Sequence, residues 1–146
     1  MKKRFSIFFV FIAGVMFAVS CSKGGSSSGD NGGGHPTPAP NDTIAPVVII
    51  NTPTANQVFT SGNTISITGR ITDDLGLFQG TIRVTDDATG GILKLQQYEI
   101  HYILLYDFNI SYTTNVTAVS DYTVTVSFMD HGYNTTTKTV KVKVNP

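Results

Sequence analysis

From Ala45 to the C-terminus, apolar and polar residues alternate with a period of two rather than 3.6. Tyr122, Val124, Val126 and Phe128 are interleaved with Thr123, Thr125 and Ser127, and Val140, Val142 and Val144 with Lys141 and Lys143. Earlier, Ile65 and Ile67 alternate with Ser66 and Thr68, and Ile82 and Val84 with Thr81, Arg83 and Thr85. β-Branched residues dominate these runs and suit a pleated, half-buried surface. One apolar and one polar face per strand predicts antiparallel sheets covered on one side.

The stretch ILKLQQYEIHYILL admits a helix, because Ile92, Leu95, Tyr98, Tyr102 and Leu105 fall at helix-like intervals. A strand accounts for more of it. Tyr98, Ile100, Tyr102, Leu104, Tyr106, Phe108, Ile110 and Tyr112 occupy eight consecutive even positions, and the odd positions between them hold only two aliphatics, Ile103 and Leu105. A strand of that length is longer than most, which predicts a bend or break near 103–105. The apolar stripe of Tyr98, Tyr102, Tyr106, Phe108 and Tyr112 is then expected to fill the space between two sheets. The other way to use such rings is as a platform for sugar faces.

Turn signals separate the runs: SGN at 61–63, DDLG at 73–76, DDATGG at 86–91 and DHGYN at 130–134. About seven antiparallel strands in about 100 residues predict an all-β, immunoglobulin-like β-sandwich. Tyr122 opens a penultimate strand, where a tyrosine corner would sit. The stretches DTIAPVVIINTP, ITGRITDDLGL and DYTVTVSFMDHGYN, followed by a Lys/Val terminal strand, resemble extracellular bacterial Ig-like modules. Together they are similar to a domain-of-unknown-function family of lipoproteins common in Bacteroidetes, over residues 42–146. The resemblance implies an envelope lipoprotein with one small sandwich and no established activity. The last turn departs from the pattern, with Tyr133 inserted between Gly132 and Asn134.

The first forty residues follow a different rule. MKKR is a positive n-region, and the apolar run from Phe5 to Val19 is fifteen residues long. Crossing a bilayer takes roughly 20 residues, so this is the length of a signal-peptide core, here assigned to residues 1–20. The chain's single cysteine, Cys21, comes next, and Ala18-Val19-Ser20-Cys21 resembles a bacterial lipobox, with Ala where that motif usually has Leu. The resemblance implies lipidation of Cys21 and attachment to the membrane through acyl chains, each buried CH₂ adding about 0.8 kcal/mol. Residues 22–41, with six Gly and four Ser, cannot bury enough apolar surface to order themselves. They form a tether of roughly 25 Å r.m.s. span, in which His35 is no ligand.

Beyond residue 20, seven basic residues face ten acidic ones, a net of −3, and no basic stripe remains for nucleic acid. One cysteine excludes a disulfide framework and a Cys-based zinc site. The histidines belong to no recognisable nucleophile motif and Glu99 is the only glutamate, so the sequence predicts a non-catalytic protein with no resident cofactor.

Sandwich topology would gather Asp42, Asp73, Asp74, Asp130 and Asn134 at one end with His131 beside them, whereas Asp86 and Asp87 belong to the opposite end. Clustered carboxylates supply hard oxygen ligands for Ca²⁺, but Asp and Asn also recur in turns because their side chains bond nearby amides. Asp42-Thr43-Ile44 resembles the Asp-Ser/Thr-aliphatic acceptor of Bacteroides-type O-glycosylation, which would place a glycan on Thr43. The expected role is a lipid-anchored Ig-like binding or adhesion module of the cell envelope with a protein or glycan partner. The alternatives are a structural subunit of a periplasm-facing complex and a calcium-dependent glycan-binding module. An outer-membrane location is expected, with the face left open. The expected mechanism is surface complementarity, with strand addition at an open sheet edge as one mode; the alternative is that Lys138, Lys141 and Lys143 on the last strand protect that edge from aggregation.

Overall fold

The computed structural model describes residues 41–146. Cys21, the signal peptide and His35 lie outside the described residues. Six strands follow one another: β1 (Val47–Thr52), β2 (Gln57–Thr60), β3 (Thr64–Asp86), β4 (Ile92–Thr113), β5 (Ser120–Asp130) and β6 (Thr135–Asn145).

All six belong to one hydrogen-bonded sheet, in the order β1-β3-β5-β6-β2 with β4 paired to β3. The sheet is folded over into two leaves because β3 and β4 run through both. The first half of β3 pairs with β1, Val48 opposite Ile71, and with the second half of β4, Ile67 opposite Ile110. The second half of β3 pairs with the first half of β4, Ile82 opposite Gln96, and with β5, Ile82 opposite Val126. β5 continues antiparallel to β6, and β6 is closed by β2 in parallel, Val142 opposite Gln57. The inner faces of the leaves meet in one core that includes Val48, Ile65, Ile67 and Phe108 from one side and Ile82, Val84, Val124, Val126, Phe128 and Val144 from the other. The fold is an immunoglobulin-like β-sandwich.

Three expectations change. DDLG is not a turn between strands but a bulged bend inside β3, where the register with β4 slips between Thr72 and Leu77. β3 is therefore continuous where a turn signal suggested a break. Not every pairing is antiparallel, since β2 and β6 run the same way. β2 covers β6 only over Val142–Asn145, so Lys143 is off the edge while the stretch holding Lys138 pairs with β5 alone. Lys141 and Lys143 form ion pairs with Asp87 and Asp121, both at 3.0 Å.

β4 bends where its stripe predicted. Its inner positions Tyr98, Ile100, Tyr106, Phe108, Ile110 and Tyr112 pack in or against the core. Tyr102 does not follow them: it adopts φ +59° and is 57% exposed. Leu104 is exposed as well, so the stripe is core on both sides of the bend and surface at the bend itself. Burial pushes the Tyr98 hydroxyl up to about 12, helped by Tyr106, whose ring meets it edge-on at 5.4 Å. Tyr122 is buried, its ring 6.2 Å from that of Tyr112.

Candidate functional site

Three segments converge at one end of the sandwich: the lead-in to β1, the bend of β3 and the β5–β6 hairpin. Asp42, in the lead-in, is 8% exposed, and its Oδ1 accepts the Ile44 amide at 3.0 Å. At the bend, Asp73 Oδ2 accepts the amides of Leu75 at 3.1 Å and Gly76 at 2.6 Å. This small ring closes only because Gly76 takes φ +122°, a conformation available to a residue without Cβ. In the hairpin, Asp130 is fully buried and both its oxygens are engaged, Oδ1 by the Asn134 amide at 2.9 Å and Oδ2 by Asn134 Nδ2 at 3.0 Å. Asn134 Nδ2 also donates to the Asp42 carbonyl oxygen at 3.1 Å, tying the hairpin to the lead-in. Gly132 makes that approach possible, because a Cβ there would stand 2.6 Å from Cβ of Asp42.

Asp42, Asp73, Asp74, Asp130 and Asn134 therefore meet at one end, in two roles. One carboxylate oxygen from each of Asp42, Asp73 and Asp74 lies within 4.8 Å of the other two, while Asp130 and Asn134 brace the group by bonding each other and Asp42. Asp42 Oδ2 and Asp73 Oδ1 are buried with no hydrogen-bond partner. Burial raises the Asp73 carboxyl above its ordinary value, the Gly76 and Leu75 amides oppose this, and the charges of Asp130 and Asp42 add to the rise. Among the described residues, the ion pairs formed by lysine and arginine go to Asp107, Asp87 and Asp121, so none neutralises this group. The three carboxylates form a set of hard oxygen donors that could hold a metal ion.

An aromatic cluster adjoins them. The His131 amide donates to the Gly76 carbonyl at 3.1 Å, and the buried His131 ring stacks on Tyr102 at 4.2 Å with an 11° interplanar angle. Phe78 lies 4.9 Å from that ring and His101 5.5 Å. Tyr133, the residue inserted in the last turn, has φ +65° and meets Phe78 edge-on at 6.1 Å while remaining 56% exposed. Burial lowers the affinity of His131 for a proton and neighbouring His101 acts in the same direction, against the pull of Asp130 and Asp73. Sequence patterning did not single out Phe78, marked Tyr133 only as an insertion in the last turn, and placed Tyr102 in the core. The trace of this cluster in the sequence is that an aromatic residue lies in or beside each of the three stretches: Tyr102 at the bend of β4, Phe78 two positions after DDLG, and Tyr133 within DHGYN.

The remaining candidates lie elsewhere. Thr43 is exposed next to buried Asp42. Asp86 holds the β3–β4 turn through the amides of Ala88 and Thr89, both at 2.9 Å. Asp87 is kept below the usual carboxylate range by the Thr123 hydroxyl at 2.6 Å and by Lys141. A shallow cleft bordered by Gln79, Gln97, Glu99 and Met129 shares no residue with the carboxylate group.

No protein-family model and no curated protein matches the chain. Among solved structures, one similar chain is murine CRIg, 9% identical, with 70% of this chain and 98% of that chain covered and a TM-score of 0.44. A likeness at that level says nothing of ligand or partner.

Proposed function

We propose that the protein is a lipid-tethered, non-catalytic binding or adhesion module of the bacterial cell envelope, working through the end of the sandwich just described. One observation carries this reading: exposed apolar residues collect there beside the carboxylates. Leu75, Tyr102, Leu104 and Tyr133 are each more than half exposed, and they come from the β3 bend, the β4 bend and the β5–β6 hairpin. An exposed apolar group of this kind, bordered by charge, is the usual mark of an interaction surface. Tyr102 and Tyr133 each offer an apolar body with a polar tip, which suits contact with a protein or a glycan. The −3 net charge beyond residue 20 argues against nucleic acid as the partner.

Membrane attachment through Cys21 rests on the lipobox resemblance and gives the module its place in the envelope. The test combines lipid labelling with protease shaving of intact cells that express the C-terminally tagged full chain. Wild type is expected to take up labelled palmitate and to lose its tag on intact cells, while Cys21→Ala accumulates as unlabelled precursor. Normal processing of Cys21→Ala would overturn the lipid anchor. Digestion of the tag only after lysis would overturn surface adhesion in favour of a periplasm-facing subunit.

A second reading, calcium-dependent binding of a glycan, is favoured by the bare oxygens of Asp42 and Asp73 next to the exposed ring of Tyr102. Thr43, exposed in the lead-in, is the position a glycan would occupy if the acceptor resemblance holds. The intact mass of the mature native protein tests that covalent attachment, which is separate from glycan binding, and a mass without added hexose would reject it.

A further inference from the structure

The turn-forming role of Asp42 and Asp73 explains only half of each carboxylate. One oxygen of each caps the following amides, which is the ordinary use of Asp in a tight turn. The other oxygen, Asp42 Oδ2 or Asp73 Oδ1, is buried and bare. Asp42 as a whole is more than nine-tenths buried. A bare buried carboxylate oxygen is costly, and neighbouring carboxylates of like charge raise the cost further. Asparagine or serine would cap the same turns without that charge. The turns thus leave one buried oxygen of Asp42 and one of Asp73 unused, in a group where Asp42, Asp73 and the exposed Asp74 each bring a carboxylate oxygen within 4.8 Å of the other two.

We propose that Asp42, Asp73 and Asp74 bind one hard divalent cation, Ca²⁺ in preference to Mg²⁺, which clamps the lead-in of the domain to the bend of β3. The clamp rests on the calcium reading given above and adds to it a mechanical role. Ca²⁺ holds oxygens at about 2.3–2.6 Å and tolerates irregular geometry, so it spans a set of oxygens that spreads over as much as 4.8 Å. Mg²⁺ needs near-octahedral ligands at about 2.0–2.1 Å and gives up water reluctantly. Asp74 faces solvent, which leaves room for waters to complete the coordination. Asp42 and Asp73 are 31 positions apart in the chain, with the whole of β1 and β2 between them. A cation shared by both fixes the lead-in, from Asp42 onward, against the bend of β3. Asn134 is a positioning residue here, since it holds the Asp42 carbonyl and not the cation's oxygens.

The experiment uses the full-length processed protein in detergent, titrated calorimetrically with Ca²⁺ and with Mg²⁺, and followed by amide hydrogen exchange in millimolar Ca²⁺ or in EDTA. Wild type is expected to bind one Ca²⁺ and to bind Mg²⁺ more weakly. Exchange should slow together at Thr43–Ala45 and at Asp73–Leu77 when Ca²⁺ is present. Asp74→Asn, an exposed substitution that leaves the fold's hydrogen bonds in place, should weaken Ca²⁺ binding by on the order of tenfold or more and lose the exchange response. Absence of Ca²⁺ binding by wild type would overturn the calcium reading and the clamp with it. Binding without slowed exchange at Thr43–Ala45 would overturn the clamp alone. Unchanged Ca²⁺ affinity in Asp74→Asn would overturn the ligand assignment. Lipid labelling and shaving do not involve the cation, so the binding-module reading stands or falls separately.

Discussion

Gly80 and Gly69, both in β3, make the same demand: each faces an aromatic ring that occupies the space a side chain would need. A Cβ on Gly80 would collide with the ring of Phe128, and one on Gly69 with the Ile49 carbonyl and the ring of Phe108. Both rings are buried, at 0% and 2% exposure, so neither can swing into solvent to make room. Gly80→Ala is therefore expected to destabilise the fold by about 1–3 kcal/mol through overpacking, read as a lower midpoint in urea unfolding; an unchanged midpoint would show that the core yields more easily than its packing suggests. Asp130 makes a different kind of demand. Fully buried, it spends both oxygens on Asn134. Asp130→Ala leaves the Asn134 amide without that partner and should cost about 1.5–3 kcal/mol, the range for hydrogen bonds to a charged group. Asp130→Asn, which keeps one acceptor, should recover part of the loss in the same assay. If the two variants melt alike, the charge rather than the geometry is what matters at this position.

Strands were readable because alternation is a local property. The inward residues Ile65, Ile67, Ile71 and Leu77 are odd-numbered and Ile82 and Val84 even-numbered, and this change of parity records the register slip between Leu77 and Gln79, just beyond the Asp73–Gly76 bend. In the sequence the bend reads as a turn because Asp and Gly signal both, and only pairing on both sides of it tells them apart. Partner choice was less legible still. Nothing in the alternation of Val140, Val142 and Val144 says that a four-residue strand from the start of the domain will lie in parallel along Val142–Asn145. The carboxylate group was legible as residues at three separate turn signals; the aromatic cluster was not, because Tyr102 leaves its stripe only where β4 bends. Pairing also ranks the elements by stability. β3 and β5 have partners on both sides, whereas β2 has only β6. Amide exchange should be slowest at Ile82–Val84 and Val124–Val126 and much faster in Gln57–Thr60, following the depth of opening needed to expose each. Equal protection across β2 and β5 would mean that the sandwich opens only as a unit.

For the whole molecule, the end that carries the candidate site also sets how the fold responds to acid. His131 is buried between Tyr102 and Phe78, with His101, Asp130 and Asp73 as its charged or titratable neighbours. Its proton affinity in the folded state lies below the ordinary value of 6.5 because burial disfavours the imidazolium and His101 adds to the effect. Below 6.5 the unfolded chain therefore takes up a proton at this position that the folded chain refuses, and stability falls as pH falls. The contribution is complete above 6.5 and is lost as pH drops through the lower, folded-state value. Asp73 has the opposite sign and a lower window. Its folded-state value is raised above 3.8, so its contribution is complete below 3.8 and is lost as pH rises through the raised value. The two windows separate the residues. His131→Phe keeps an aromatic ring for Tyr102 and Phe78 to pack on and cannot titrate, and it gives up no hydrogen bond at Nε2, which has none. Urea unfolding across the range just below pH 6.5 should show wild type losing stability with acidification and His131→Phe holding level. Parallel curves for the two proteins would mean that the ring is not shielded from water as its burial implies. In that case the aromatic cluster would have to be a looser, wetter surface than the stacked arrangement described here.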